Sequence, residues 1–164
     1  TELLPDEFIR VRLQAAVTLS LIMEEPPAEV VPMLREILTM TDDPMKYGAM
    51  TYEKESRSGK FQNPEDAYKR RAARDRLICY AALIRADWAN RQSSIDQLTI
   101  MLRSKDKDVS LSAASAMRKL GPAVQLASPV IVEMLGEAAD SDKLPIAKTL
   151  RAVDVEAAKK AGVR

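Results

Sequence analysis

An all-α fold is predicted by three features of the sequence. Alanine, leucine and methionine dominate a chain that is 46 % hydrophobic but only 4 % aromatic, a balance that favours helices over strands. Only 5 glycines are present, too few for a turn-rich β fold. The third feature is self-similarity, with pairs of amphipathic segments recurring along the chain. At 164 residues the length suits one domain, residues 1–164, with room for a core.

The first segment reads Val11-Arg12-Leu13-Gln14-Ala15-Ala16, followed by Leu19 and Ile22. The same pattern returns as Val109-Ser110-Leu111-Ser112-Ala113-Ala114, followed by Met117 and Leu120. Arg76-Leu77-Ile78-Cys79-Tyr80 with Leu83 and Ala86 takes the same register. Lys143-Leu144-Pro145-Ile146-Ala147 with Leu150 and Val153 takes it less closely. A second amphipathic stretch follows each of the first three segments, ending on Leu38, Leu102 and Leu135, and Pro32 aligns with Pro129. Two helices per unit at one shared period predict a stack, because one pair cannot bury its own apolar face. In this register Leu111 is expected in the core, where truncation to alanine costs about 2–5 kcal/mol.

The helix ends carry their own signals. Asn63-Pro64-Glu65-Asp66 offers an N-cap, a proline at the first helical position and acids on the helix dipole. Ser93 with Asp96 has the form of a capping box, Gly121-Pro122 that of a helix stop, and Asp108, Ser141 and Asp154 are further N-cap candidates.

These residues resemble the HEAT-repeat family, in the short bacterial form similar to phycobilisome-lyase-type repeats. Asp108-Val109, Leu111, Ala113-Ala114, Met117, Leu120-Gly121 and Pro129 carry the resemblance in one unit. Val11-Arg12-Leu13, Ala15-Ala16 and Leu19 carry it in another, the only one with arginine after the valine. The resemblance implies an α-solenoid of about four HEAT-like helix pairs over most of residues 6–153. It says little about function, since such repeats serve many unrelated assemblies.

Composition removes several chemistries. The chain has no histidine, which excludes histidine-based nucleophile pairs, metal sites and general acid/base work. Its 25 basic and 24 acidic residues alternate in sign, without the basic excess of a dedicated nucleic-acid binder. No apolar run is long enough to span a membrane. The start at Thr1 is compatible with a soluble cytoplasmic protein or with export after signal cleavage. Cys79 shares the register of Ala15 and Ala113 and reads as a small packed core residue. Lys69-Arg70-Arg71 with Arg74 and Arg76 reads as a solvated helix face, with Glu65 and Asp66 four residues ahead of Lys69 and Arg70. The acidic pairs Glu24-Glu25, Asp42-Asp43 and Asp140 with Asp142 sit where helix ends and turns are expected.

Two anomalies point to partners. From Leu13 to Leu77 the repeat interval is 64 residues, against 34 from Leu77 to Leu111, so an insert occupies about residues 41–66, between the first and second pair. Tyr47, Tyr52 and Phe61 fall in it, in a chain otherwise poor in aromatics. Separately, the first helix carries a wide apolar arc containing Phe8, Ile9, Val11, Ala15, Ala16, Leu19, Ile22 and Met23, broken mainly by Arg12. An end helix should instead show water a polar face. The insert either packs on its own solenoid, folded over the first helix as a lid, or meets a partner; in the second case Tyr47, Tyr52, Phe61, Phe8 and Leu19 are the expected partner-binding residues, by contact with other protein chains or by self-association through the N-terminal helix. The expected function is a non-catalytic scaffold, a structural or adaptor subunit of a multiprotein assembly able to mediate its polymerisation, with no metal or organic cofactor. An accessory lyase or enzyme-associated repeat protein and a nucleic-acid-binding solenoid are the alternatives.

Overall fold

The structure, a computed structural model, describes residues 6–45, 47 and 64–163. The described residues are helical with no strand, as the composition predicts. The chain divides into two compact units, Thr1–Ala86 and Asp87–Arg164.

The first unit contains α1 (Asp6–Ile22), α2 (Val30–Met40) and α3 (Pro64–Ala86), each packed on the other two. Val30, Leu34 and Ile37 recur at four- and three-residue spacing, so α2 turns one apolar stripe inward. The stripe meets Leu13 and Ala16 of α1 and Cys79, Ala82 and Leu83 of α3. A smaller cluster joins Ile9, Tyr47 and Ala72, with Met40 against it. α3 opens on Pro64 with Glu65 and Asp66 in its first turn, as expected. At 23 residues it begins well before the Arg76 segment, so residues 64–66, assigned to the insert by repeat spacing, belong to α3.

The second unit contains α4 (Arg91–Leu102), α5 (Lys107–Leu120), α6 (Ser128–Glu137), α7 (Asp140–Val153) and α8 (Val155–Lys160). α5 packs on α4 and α7, and α7 on α6 and α8. Ala113, Ala114 and Met117 of α5 are buried, and the small alanine pair lets neighbouring helices approach closely. Gly121 ends α5 at φ 57°, a left-handed conformation that an L side chain rarely adopts.

The structure corrects several boundary assignments. Asp106, not Asp108, caps α5, its carboxylate accepting the backbone N–H groups of Asp108 at 2.9 Å and Val109 at 3.4 Å. The helix starts one residue before Asp108, which places that acid inside the first turn. α4 begins at Arg91 with no side-chain cap, so Ser93 and Asp96 form no capping box, and Asp96 instead accepts from Gln92 at 2.8 Å. α7 begins at Asp140, ahead of Ser141. Asp154 does cap α8, accepting the Ala157 N–H at 2.9 Å.

Leu111 is also corrected: it is 52 % exposed, not core. α5 buries Ala113, Ala116, Met117 and Leu120, and at 100° per residue Leu111 lies opposite that stripe. In α1 the buried residues are Ile9, Leu13, Ala16 and Ser20. The predicted arc is thus rotated. Leu13 and Ser20 lie inside, while Val11 at 64 % and Ile22 at 73 % are exposed.

Candidate functional site

A groove of about 510 Å³ opens in the second unit, where the α4–α5 turn, the end of α6 and the start of α7 converge. Its apolar lining comes from Leu102, Leu111, Ala114, Met134, Pro145 and Ile146. Leu111 is therefore a wall residue, which accounts for its departure from the core register. Pro145 lies inside α7 and has no N–H to offer the Ser141 carbonyl, so the helix lacks that hydrogen bond where it borders the groove. The volume falls within the range of small-ligand and peptide side-chain pockets.

The charged lining carries both signs. Arg103, Lys105 and Lys107 come from the α4–α5 turn and the first residue of α5, and Glu133, Glu137 and Asp142 from α6 and α7. Arg103 pairs with Glu133, and Lys107 approaches Asp142 at 3.9 Å. These pairs are exposed and contribute little to stability. Their effect is to present an apolar trough between charges of opposite sign, a surface suited to a peptide segment that carries an apolar anchor and flanking polar groups.

In the first unit the densest polar arrangement is internal. The Tyr47 hydroxyl donates to the Asp75 carboxylate at 2.8 Å, and Cys79 lies one helical turn beyond Asp75. Burial, with that carboxylate beside it, pushes the Tyr47 phenol well above the ordinary tyrosine range. Burial first and Asp75 second push the Cys79 thiol up to about 12. A thiol held protonated in this way is a poor nucleophile, and Cys79 is the packed core residue its register predicts.

Of the residues expected to bind partners, the two whose side chains are described, Tyr47 and Leu19, fall in different core clusters. Tyr47 is completely buried in its own unit and anchors the start of the insert on α3, so its assignment to a partner surface is corrected. Asp42 ties the same segment to Arg76 at 2.9 Å. Leu19 is partly buried against the first unit's core. Tyr52, Phe61 and the side chain of Phe8 lie outside the described residues. The basic cluster lies along α3, where Lys69 pairs with Glu65 at 2.6 Å in the expected four-residue spacing. Sequence reasoning missed the groove because it placed Leu111 in the core; the available signal was Pro145 beside Leu144 and Ile146, with opposite charges near both turns.

The described architecture is that of an all-α protein built from consecutive packed helices, and none of those helices is long and apolar enough to cross a membrane. Comparison with protein-family models, curated proteins and solved structures finds no match for this chain.

Proposed function

We propose that this protein is a non-catalytic protein–protein interaction module, an adaptor or structural subunit of an assembly, whose helices form about four HEAT-like pairs in one solenoid. The groove of the second unit carries this reading. A leucine at a repeated motif position is turned out of the core onto the wall of an apolar trough with charges of both signs. A residue that packing alone would bury has been given to a surface, and peptide recognition is the use that fits its chemistry. Support for the repeats comes from the shared register of Leu83, Met117 and Leu150, all buried.

The test is co-purification of the tagged full chain from its native source, with cross-linking to locate what stays attached, for the wild type and for Leu111→Glu and Glu137→Lys. Both positions are exposed, so thermal unfolding should stay near that of the wild type. The expected result is a defined protein partner, cross-linked at the groove and lost from the Leu111→Glu variant. A partner held equally by all three chains would overturn the reading. Small-angle scattering of the same preparation tests the solenoid through its elongation.

A further inference from the structure

Of the charged side chains that line the groove of the second unit, four are matched to one another. Arg103, just after α4, pairs with Glu133 of α6, and Lys107, at the start of α5, approaches Asp142 of α7 at 3.9 Å. Each pair joins the α4–α5 side of the groove to the α6–α7 side. Lys105 lies between Arg103 and Lys107 in sequence, and Glu137 lies one helical turn beyond Glu133. Both line the groove and both are exposed, but among the described residues neither makes an ion pair or a hydrogen bond. The groove therefore keeps one unspent positive charge on one side and one unspent negative charge on the other.

The backbone strengthens the negative side. α6 runs out at Glu137 into an extended Ala138 (φ −69°, ψ 140°), and among the described residues no N–H of that cap closes its last turn. The N–H groups of Arg103, Gly121 and Asp154 do close the last turns of α4, α5 and α7. The terminal carbonyls of α6, the negative pole of the helix, thus stand beside Glu137 without a cap donor. On the same side, Pro145 withholds an N–H from the Ser141 carbonyl.

We infer, resting on the peptide-binding role proposed for this groove, that it selects segments in which an apolar anchor is flanked by one acidic and one basic residue. The acid meets Lys105, and the base meets Glu137 and the end of α6. The apolar lining discriminates poorly by itself. Met134, partly buried in it, is unbranched and adapts to side chains of different shape, and apolar pockets separate anchors of similar size only weakly. Charge then decides. Two acidic flanks set a like charge against Glu137, and two basic flanks set one against Lys105. A mixed pair alone meets opposite charge on both sides. Because both groove charges are exposed, each match contributes modestly and is weakened by salt.

Selection of a random-peptide display library on the folded full chain at low salt tests this. The wild type should enrich segments with an apolar residue between one acidic and one basic residue. Glu137→Lys should shift the enriched flanks to two acids, and Lys105→Glu should shift them to two bases, with the apolar anchor kept in both. By fluorescence anisotropy, a synthetic copy of the wild type's enriched peptide should bind Glu137→Lys about five- to tenfold more weakly, a difference that shrinks in high salt. Both substitutions fall at exposed positions, so thermal unfolding near that of the wild type confirms folded variants. Apolar anchors enriched without a charge preference, or flanks that stay the same in Glu137→Lys and Lys105→Glu, would overturn the inference and leave peptide binding at the groove intact. No enrichment, or enriched peptides that bind Leu111→Glu as well as the wild type, would overturn both.

Discussion

The two units carry the same leucine motif and use it oppositely. Leu13 and Leu77 in the first unit are buried, whereas Leu111 and Leu144 in the second are exposed. Three residues further along the motif the contrast shrinks, with Ala16 and Ala114 both buried. Repetition in a sequence therefore fixes the helical phase only to within about one residue, and one residue turns a side chain by 100°. What decides burial is the neighbour. In the first unit α2 and α3 close over Leu13. In the second, the α4–α5 turn and the start of α7 stand apart enough to leave a groove, and Leu111 lines it.

The largest expected effect tests this contrast directly. Leu13→Ala should cost roughly 2–5 kcal/mol in denaturant unfolding, as truncation of a buried leucine does. Leu111→Ala should cost less than about 1 kcal/mol, because half of its surface is already in water. Equal costs at the two positions would show that the groove wall is packed core and that the repeat register holds throughout.

An intermediate effect separates the units by chemistry. All four tyrosines and the only cysteine lie in the first unit. Tyr47 and Cys79 keep their protons in the folded state well past their ordinary values of 10.0 and 9.0. Their folded pKa values are raised, so the stability linked to them is complete below about pH 9. It is lost as pH rises, because the unfolded chain releases protons that the folded chain retains. Alkaline titration should therefore destabilise the first unit from about pH 9 upward, with the Cys79 thiol becoming reactive only as unfolding proceeds. Tyr47→Phe should cost about 1 kcal/mol at neutral pH, through loss of the hydrogen bond to Asp75, and should reduce the alkaline sensitivity. A native thiol that reacts freely at pH 8 would show that Cys79 is not enclosed as described.

These contrasts mark what could be read from the sequence. The helical class was legible from composition and from the recurrence of amphipathic segments, since a helix face is a local property. The stop at Gly121 and the opening at Pro64 were legible for the same reason. Cys79 was placed in the core because its register position takes a small residue. The face that α1 buries was not legible. With Ile9 and Leu13 on one side and Val11 and Ile22 on the other, the wheel has two apolar arcs, and only the neighbours choose between them. Tyr47 was misassigned because an aromatic residue in an insert satisfies an interface rule and a packing rule equally well. Its bond to Asp75, 28 residues away, decides the matter and has no local signature.

The smallest effect concerns the helix ends of the second unit, where two acids stand close together at the start of α5. Asp106 precedes the helix in an extended conformation, and its carboxylate accepts two backbone N–H groups that have no acceptor within the helix. Asp108 is already inside the first turn, where its charge is favourable to the helix dipole. Asp106→Ala should therefore cost about 1 kcal/mol, and whatever part of an Asp108→Ala cost comes from the dipole should diminish in high salt. Asp154 at the start of α8 extends the comparison to pH. The Ala157 N–H, and then Gln125, hold its carboxyl below the ordinary range, so its contribution is present above that range and fades as pH falls through the lowered value. Chemical denaturation of the single and double alanine variants, repeated at neutral and acidic pH, measures both. If Asp106→Ala proves costless at neutral pH, the Asp108 and Val109 N–H groups do not depend on its carboxylate and the cap assigned to Asp106 is wrong.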